Sequence, residues 1–284
     1  MSPCYRLIIS CPDQVGLVAQ VSQFIASHKG SILEADHHTD LEQKWFFMRY
    51  EIDAAKLTLN LADFRNQFAP IAQKFQMQWQ IHDVSIPKRV VLLVSKQSHC
   101  LIDLLHRVQE GELFCKIPCV ISNHEDLRKI VEWYGIEFHH VPIESAQKEA
   151  GFTKIENLLA QHNAEVIVLA RYMQIMPHHL CQKYAGKMLN IHHSFLPSFV
   201  GAKPYHQAYA RGVKLIGATC HYVTAELDQG PIIEQDVARV NHRATPEDFI
   251  RLGRDIEKNV LARGLRYHLE DRILIQGNKT VVFA

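Results

Sequence analysis

Apolar and polar positions alternate in two different ways along the chain, and the change falls near residue 85. Before it, short β-prone runs such as WFFMRYEID (45–53) alternate with amphipathic helical stretches such as LVAQVSQFIASHKG (17–30). The elements follow one another in the order βαββαβ. This order predicts a small ferredoxin-like sandwich over residues 1–84, in which two helices cover one face of an antiparallel sheet.

A different pattern follows the segment SIPKR (85–89), which we interpret as a linker. Continuous apolar runs such as VVLLVS (90–95) are separated by short amphipathic helices, and a long helix is expected over 245–268. Strands that are apolar on both faces are typical of a parallel sheet covered by helices on both sides. We therefore predict an α/β chain whose second domain, over residues 90–284, is doubly wound and mostly parallel.

Composition narrows the class of protein. The chain has 284 residues, 47% hydrophobic and 21% charged, with a formal net charge of +1. The chain has no run of basic residues of the kind that binds nucleic acid. No apolar run approaches the roughly 18–20 residues that a membrane helix needs. The N-terminus lacks the pattern of a signal peptide, and seven cysteines at irregular spacing favour reduced thiols. We expect a cytoplasmic protein without a nucleic-acid or membrane partner.

The eighteen histidines raise the question of a metal site. Four adjacent pairs occur, but adjacent residues point to opposite faces of a strand and lie about 100° apart on a helix, so a pair rarely chelates one ion. The chain has no H-E-x-x-H motif and no paired C-x-x-C motifs. We predict no metal and no cofactor.

Candidate chemistry lies where an apolar run ends in KMLNIHHS. Asn190 and His192 are two apart on an extended segment, so their side chains leave from one face, at the end of the sheet where α/β proteins bind ligands. An amide and an imidazole are suitable donors for a carbonyl oxygen. Asp228, in a D-x-G-P turn, could orient and charge the imidazole and shuttle a proton. Each residue alone is more typical of a cap, a turn or a satisfied hydrogen-bond partner than of a catalytic group, and the spacing does not identify a reaction.

These motifs are characteristic in combination. N-x-H-x-S-x-L-P at 190–197 and L-D-x-G-P-I-I at 227–233 together resemble the folate-dependent formyltransferase superfamily. The resemblance implies that Asn190, His192 and Asp228 are the catalytic residues, and that LARYMQIMP (169–177) receives the pterin. The folate-binding residues that it implies are Tyr172, Met173, Gln174, Met176, Val223, Glu226 and Leu227.

Residues 1–84 separately resemble an ACT domain, the βαββαβ module that binds small effectors such as amino acids. The segment CPDQVGLVAQV carries the D-x-x-G turn between the first strand and the first helix. This resemblance implies an effector site at Asp13, Gly16 and Ser31; the alternative is a purely structural module that dimerises through its sheet or helices. Because ACT domains pair, it also implies a homo-oligomer.

An ACT domain ahead of a formyltransferase-like domain is typical of the superfamily branch in which water accepts the formyl group. His193 supports this branch, because the transferases usually carry Pro there. The loop SKQSHC (95–100) contains no glycine, which disfavours a backbone cradle for a substrate phosphate. The resemblance thus implies hydrolysis of 10-formyltetrahydrofolate, the substrate, to formate and tetrahydrofolate. The alternatives are formyl transfer to an amine such as glycinamide ribonucleotide, and a non-catalytic amino-acid sensor.

Three nearby residues have less defined interpretations. His193 could line a water pocket or be structural. We expect Cys220 and His221 to pack within a strand, and Arg171 to be solvated rather than to meet the glutamate tail of a folate.

Overall fold

The computed structural model describes residues 3–144, 147–198 and 204–284. It divides into two compact units. One runs to Pro87 and also takes in Glu270–Leu274 and Val281–Ala284, whereas the other comprises Lys88–Leu269 and Ile275–Thr280. From the sequence, all residues after the linker were expected to belong to the second domain, because short terminal segments carry no pattern that tells which core they join.

The first unit has the predicted βαββαβ order. Its sheet is antiparallel in the order β2-β3-β1-β4. Alternate residues of β1, such as Leu7 and Ile9, are fully buried with Ile25 of α1 and Phe64 of α2, so both helices share one apolar core with one face of the sheet. The elements are β1 (Cys4–Pro12), α1 (Leu17–Ser27), β2 (Ser31–Asp40), β3 (Trp45–Asp53), α2 (Leu61–Lys74) and β4 (Gln78–Asp83).

The second unit is built on a larger sheet with helices between its strands. Its first half contains β5 (Lys88–Val94), α3 (His99–Gln109), β6 (Cys115–Lys116), β7 (Cys119–Ser122), α4 (Arg128–Trp133), β8 (Glu137–His140) and α5 (Lys148–Gln161). Its second half contains β9 (Val166–Ala170), α6 (His178–Lys183), β10 (Met188–His192), α7 (Pro204–Arg211), β11 (Leu215–Tyr222), β12 (Ile232–Arg239) and α8 (Pro246–Leu269). The hairpin strands β13 (Ile273–Gln276) and β14 (Lys279–Val282) close the chain.

The strand order of the larger sheet is β12-β11-β10-β9-β5-β7-β8, and β6 pairs with β5. Strands β10, β9, β5, β7 and β8 run parallel, while β11 and β12 add an antiparallel edge. Val91 of β5 and Ile167 of β9 are fully buried against Ile155 of α5, as expected for strands covered by helices. The predicted α/β class, with a ferredoxin-like domain followed by a mostly parallel sheet, is confirmed.

The strand order predicts a binding site at one end of the larger sheet. Because β5 has β7 on one side and β9 on the other, the chain reverses its direction of winding there, which opens a crevice at the carboxyl ends of the strands. Asn190 and His192 lie at this end, in β10. In the described part of the chain, no helix has the length and the apolar character needed to cross a bilayer.

Candidate active site

A cavity of about 290 Å³ opens at the carboxyl ends of β9 and β10. Its volume is close to the lower end of the roughly 300–1,000 Å³ that is typical of small-molecule sites. All the residues assigned to catalysis or folate binding from the sequence lie in its lining, namely Asn190, His192, Asp228, Tyr172, Met173, Gln174, Met176, Val223, Glu226 and Leu227. Residues from β10 and from the two loops after β9 and β11 are thus brought to one site.

Asn190 is held by a histidine that the sequence analysis assigned to packing. Asn190 and His221 face each other across the antiparallel pair of β10 and β11, so their side chains project from the same face. The Asn190 amide nitrogen lies 3.1 Å from His221 Nε2, and His221 Nδ1 donates to the Tyr222 carbonyl over 2.9 Å. With its proton on Nδ1, His221 accepts one amide N–H of Asn190 at Nε2, which leaves the second N–H for a substrate oxygen.

His192 and Asp228 form a second pair in the cavity. His192 Nδ1 lies 3.2 Å from Asp228 Oδ1, and both side chains are more than nine-tenths buried. The Nε2 atom of His192 is buried without a hydrogen-bond partner among the described residues. A carboxylate on one ring nitrogen fixes the tautomer and stabilises positive charge on the ring, so the other nitrogen is available to the reacting atoms.

Asp228 is an anion at neutral pH. Its burial would raise the pKa, but the hydrogen bond from His192 and the proximity of the two imidazole rings outweigh burial and hold the pKa of Asp228 well below its usual range. His221 Nε2 is 3.7 Å from the same oxygen of Asp228. Two imidazoles thus converge on one carboxylate oxygen, and His221 joins the three residues that the sequence indicated.

The loop between β11 and β12 positions Asp228 through two unusual features of its backbone. Asp228 has a φ of 55°, a left-handed conformation that Asp tolerates better than most residues. Gly230 then passes so close to Tyr222 that a Cβ there would lie 1.7 Å from the Tyr222 carbonyl oxygen. The D-x-G-P sequence therefore supplies both the turn and the close backbone approach on which the position of Asp228 depends.

The segment after β9 forms the opposite wall. The backbone N–H of Met173 donates to Ser95 Oγ over 3.0 Å, and Ser95 in turn donates to Asn123 Oδ1 over 2.6 Å. This chain ties the segment to the ends of β5 and β7. The Tyr172 hydroxyl is buried in the cavity wall without a hydrogen-bond partner among the described residues. Such a group is available to a polar edge of a ligand.

A buried charged cluster lies next to the cavity, around Glu257. Glu257 of α8 is 1% exposed; it accepts from the Tyr205 hydroxyl over 2.6 Å and lies 2.8 Å from His99 Nε2. Arg171 Nε lies 3.4 Å from Glu257, and the Arg171 side chain is only 13% exposed. The expectation that Arg171 would be solvated is wrong, because residue 171 turns to left-handed backbone (φ 64°) directly after β9 and its side chain meets a buried carboxylate.

His193 lies in contact with both the His192–Asp228 pair and the charged cluster around Glu257, through His192 and Tyr205. Its ring contacts His192 and Tyr205, with ring centroids 5.4 Å and 6.1 Å away. Burial, assisted by the charge of Arg171, lowers the pKa of His193 from 6.5 to about 3. His193 is therefore neutral over the whole physiological range.

This shift predicts acid sensitivity. Between pH 6.5 and 3 the unfolded chain protonates residue 193 whereas the folded chain does not, so stability from this group is complete above pH 6.5 and falls as the pH drops. In the wild type, this group should lower the free energy of unfolding by about 2 kcal/mol between pH 7 and pH 5, and this loss should be absent in His193→Asn. Urea unfolding at the two pH values measures this. His206, in α7, is exposed, so His206→Asn should keep the wild-type dependence of stability on pH. Identical pH dependence in all three proteins would contradict the assignment.

Two groups of potential metal ligands occur among the described residues: Cys119, His139 and His162, and His99, Cys100 and Glu257. In the second group the carboxylate already accepts hydrogen bonds from His99 and Tyr205. Neither group lies in the lining of the cavity. The absence of a metal cofactor stays a prediction.

The predicted effector residues belong to the first unit. Asp13 and Gly16 lie in the turn between β1 and α1, and Ser31 begins β2. All three are exposed. Gly16 caps α1 with a φ of 94°, a conformation that a side chain would strain. Their role in effector binding stays a prediction.

Comparisons with known proteins agree with the motifs. Residues 88–265 match the family model described as formyl transferase, and residues 5–60 match that of the ACT domain. A formyltetrahydrofolate deformylase from Synechocystis is 49% identical over 98% of both chains. The crystal structure of a formyltetrahydrofolate deformylase from Pseudomonas syringae superposes with a TM-score of 0.99 at 61% identity, covering 100% of this chain and 95% of that one.

Transferases of the same fold match only in part. The glycinamide ribonucleotide transformylase 1 from Symbiobacterium toebii has a TM-score of 0.66 at 28% identity, covering 70% of this chain and 95% of the transformylase. The full-length matches thus contain both the ACT domain and the catalytic fold. The chain belongs to the formyl transferase family, in the branch of ACT-containing formyltetrahydrofolate deformylases.

Proposed function

We propose that the protein hydrolyses 10-formyltetrahydrofolate to formate and tetrahydrofolate, with water in place of an amine acceptor. The observation that carries this proposal is the convergence of Asn190, His192 and Asp228 on one cavity in which His192 Nε2 has no partner among the described residues. The chain's full-length relatives named formyltetrahydrofolate deformylase support the same substrate.

The wall formed by residues 172–176 and the loop 223–228 would receive the pterin. Met173 is 57% exposed and Leu227 is 53% exposed, so apolar surface is available for the faces of a planar ring. The Tyr172 hydroxyl and nearby backbone groups would meet its polar edge. A pterin held there would direct the N10-formyl group toward β10.

The formyl oxygen would bind to Asn190 and His192. Water adds to the formyl carbon, and the oxyanion that develops accepts hydrogen bonds from the free amide N–H of Asn190 and from His192 Nε2. Preorganised donors of this kind each contribute about 3–4 kcal/mol to the transition state. His221 positions the Asn190 amide for this contact.

Collapse of the tetrahedral intermediate breaks the bond between carbon and N10. N10 takes a proton as it leaves, and one proton from the attacking water is released to solvent with formate. Because the pKa of Asp228 is strongly lowered, we assign the proton transfer to His192 and the stabilisation of the charged ring to Asp228.

The transferase alternative is less consistent with the loop after β5. Ser95, at the position where a phosphate cradle would begin, is 3% exposed and is already hydrogen-bonded to Asn123 and to Met173. The segment from 95 to 100 has no glycine that would let backbone amides approach a phosphate closely. A sensor without catalysis would not need the paired His192 and Asp228.

The ACT domain would carry the regulatory function. We propose a cytoplasmic homo-oligomer in which a small effector, an amino acid by the usual chemistry of such domains, binds near Asp13, Gly16 and Ser31. The seven cysteines are all free thiols, which fits a reducing compartment.

The test is formate release from 10-formyltetrahydrofolate by the full-length protein, with and without glycinamide ribonucleotide and candidate amino acids. We expect stoichiometric formate and tetrahydrofolate without any added amine. Formation of tetrahydrofolate only when glycinamide ribonucleotide is present would overturn the proposal in favour of the transferase.

A further inference from the structure

Two buried polar groups that share the cavity lack partners. Nη1 and Nε of Arg171 have no hydrogen-bond partner among the described residues, and neither has Nε2 of His192. Both side chains line the same cavity. Buried polar atoms are rarely left without a hydrogen bond in folded proteins, so a guanidinium with unsatisfied N–H groups at a binding cavity indicates a ligand that is bound during function.

The guanidinium of Arg171 is held on one side by Glu257. Glu257 Oε1 accepts from the Tyr205 hydroxyl, and Oε2 lies 2.8 Å from His99 Nε2 and 3.4 Å from Arg171 Nε. The carboxylate is thus engaged on both oxygens, and at 3.4 Å it holds Arg171 by charge rather than by a short hydrogen bond. Arg171 Nη1 remains without an anion of its own.

The two buried carboxylates near the cavity, Glu257 and Asp228, are both compensated. Burial would raise the pKa of Glu257, but the hydrogen bond from His99 and the charge of Arg171 outweigh it and lower that pKa, so Glu257 is ionised. Asp228 is paired with His192 and His221. A further anion is therefore accommodated best beside Arg171, whose planar guanidinium matches the geometry of a carboxylate.

We propose that Arg171, together with His192, forms a subsite for a small carboxylate, the formate that the reaction releases. The inference rests on the proposed function. Of the two oxygens of formate, one is the former formyl oxygen at Asn190 and His192, and the other comes from water. Arg171 binds this second oxygen, first in the attacking water and then in the product, as the bond to N10 breaks and N10 is protonated.

The test is product inhibition. Tetrahydrofolate formation is followed at increasing sodium formate, and separately at increasing tetrahydrofolate, for the wild type, Arg171→Gln and Arg171→Lys. We expect the inhibition constant for formate to rise at least about tenfold in Arg171→Gln and less than about threefold in Arg171→Lys, which retains the cation. The inhibition constant for tetrahydrofolate should stay within about twofold in both, because the pterin wall is untouched.

Arg128→Gln is the matched control. Arg128 is a surface arginine of α4 that pairs with Glu125 and Glu132, outside the cavity, so this variant should behave as the wild type. Sodium formate should also raise the unfolding temperature of the wild type above that in sodium chloride of equal ionic strength, and this rise should be absent in Arg171→Gln. The second measurement does not need turnover, so it also covers an inactive variant.

The outcomes separate the two proposals. An unchanged formate constant in Arg171→Gln, or an equal rise of the formate and tetrahydrofolate constants, would overturn the subsite and make Arg171 a structural residue. If the wild type produces no tetrahydrofolate from 10-formyltetrahydrofolate in the absence of an amine, the proposed function itself fails.

Discussion

Replacing Asp228 with Asn should lower the turnover number by on the order of 10³–10⁴ and leave the apparent affinity for folate within about threefold. Asp228 Oδ1 lies 3.2 Å from His192 Nδ1 and 3.7 Å from His221 Nε2. An amide at this position carries no charge to stabilise the protonated ring, and it can present an N–H to a ring nitrogen, which changes the tautomer. Asn has nearly the same shape as Asp, so the loop 223–228 and the segment 172–176, which would receive the pterin, should keep their positions.

Steady-state kinetics on the purified full-length chain measure this effect, and folate binding is followed separately by titration. Asp255→Asn is the matched control, because Asp255 is exposed on α8 and pairs only with Lys258 among the described ion pairs. Its turnover should equal that of the wild type. Turnover of Asp228→Asn within tenfold of the wild type would exclude the assigned role of the carboxylate.

The part of the site that lies close together in sequence could be predicted. Asn190 and His192 are two residues apart at a strand end, so the period of an extended chain places both on one face. Their motif, together with that around Asp228, indicates the superfamily, and the resemblance implies which segment would receive the pterin. The α/β class follows from apolar runs that alternate with amphipathic helices, a signal that needs no knowledge of long-range contacts.

The part that depends on register and on distant packing could not be predicted. His221 meets Asn190 only because β10 and β11 pair in one particular register, and a shift by one residue would turn its side chain to the other face. The approach of Arg171 to Glu257 joins the end of β9 to the middle of α8. No local pattern relates residues so far apart, and a single arginine after an apolar strand is otherwise typical of the surface.

Gly230→Ala should destabilise the second unit by about 1–3 kcal/mol or more and reduce turnover at least tenfold in the protein that remains folded. A Cβ at this position would lie 1.7 Å from the Tyr222 carbonyl oxygen, so the backbone of the loop has to move. That same carbonyl accepts the hydrogen bond from His221 Nδ1. The displacement therefore disturbs the tautomer of His221 and the position of Asp228, two residues earlier in the loop.

Urea unfolding and turnover, measured on the same preparation, distinguish loop displacement from simple loss of stability. Gly212→Ala is the control: Gly212 has a φ of 69° with no atom within 4 Å of an added Cβ, so the substitution strains the backbone by about 1–2 kcal/mol without contacting the cavity. We expect it to lose stability and to retain turnover per folded molecule. If Gly230→Ala also retained full turnover per folded molecule, the close approach at Tyr222 would be a packing feature only, and the position of Asp228 would have to be maintained by its contacts with the two histidines.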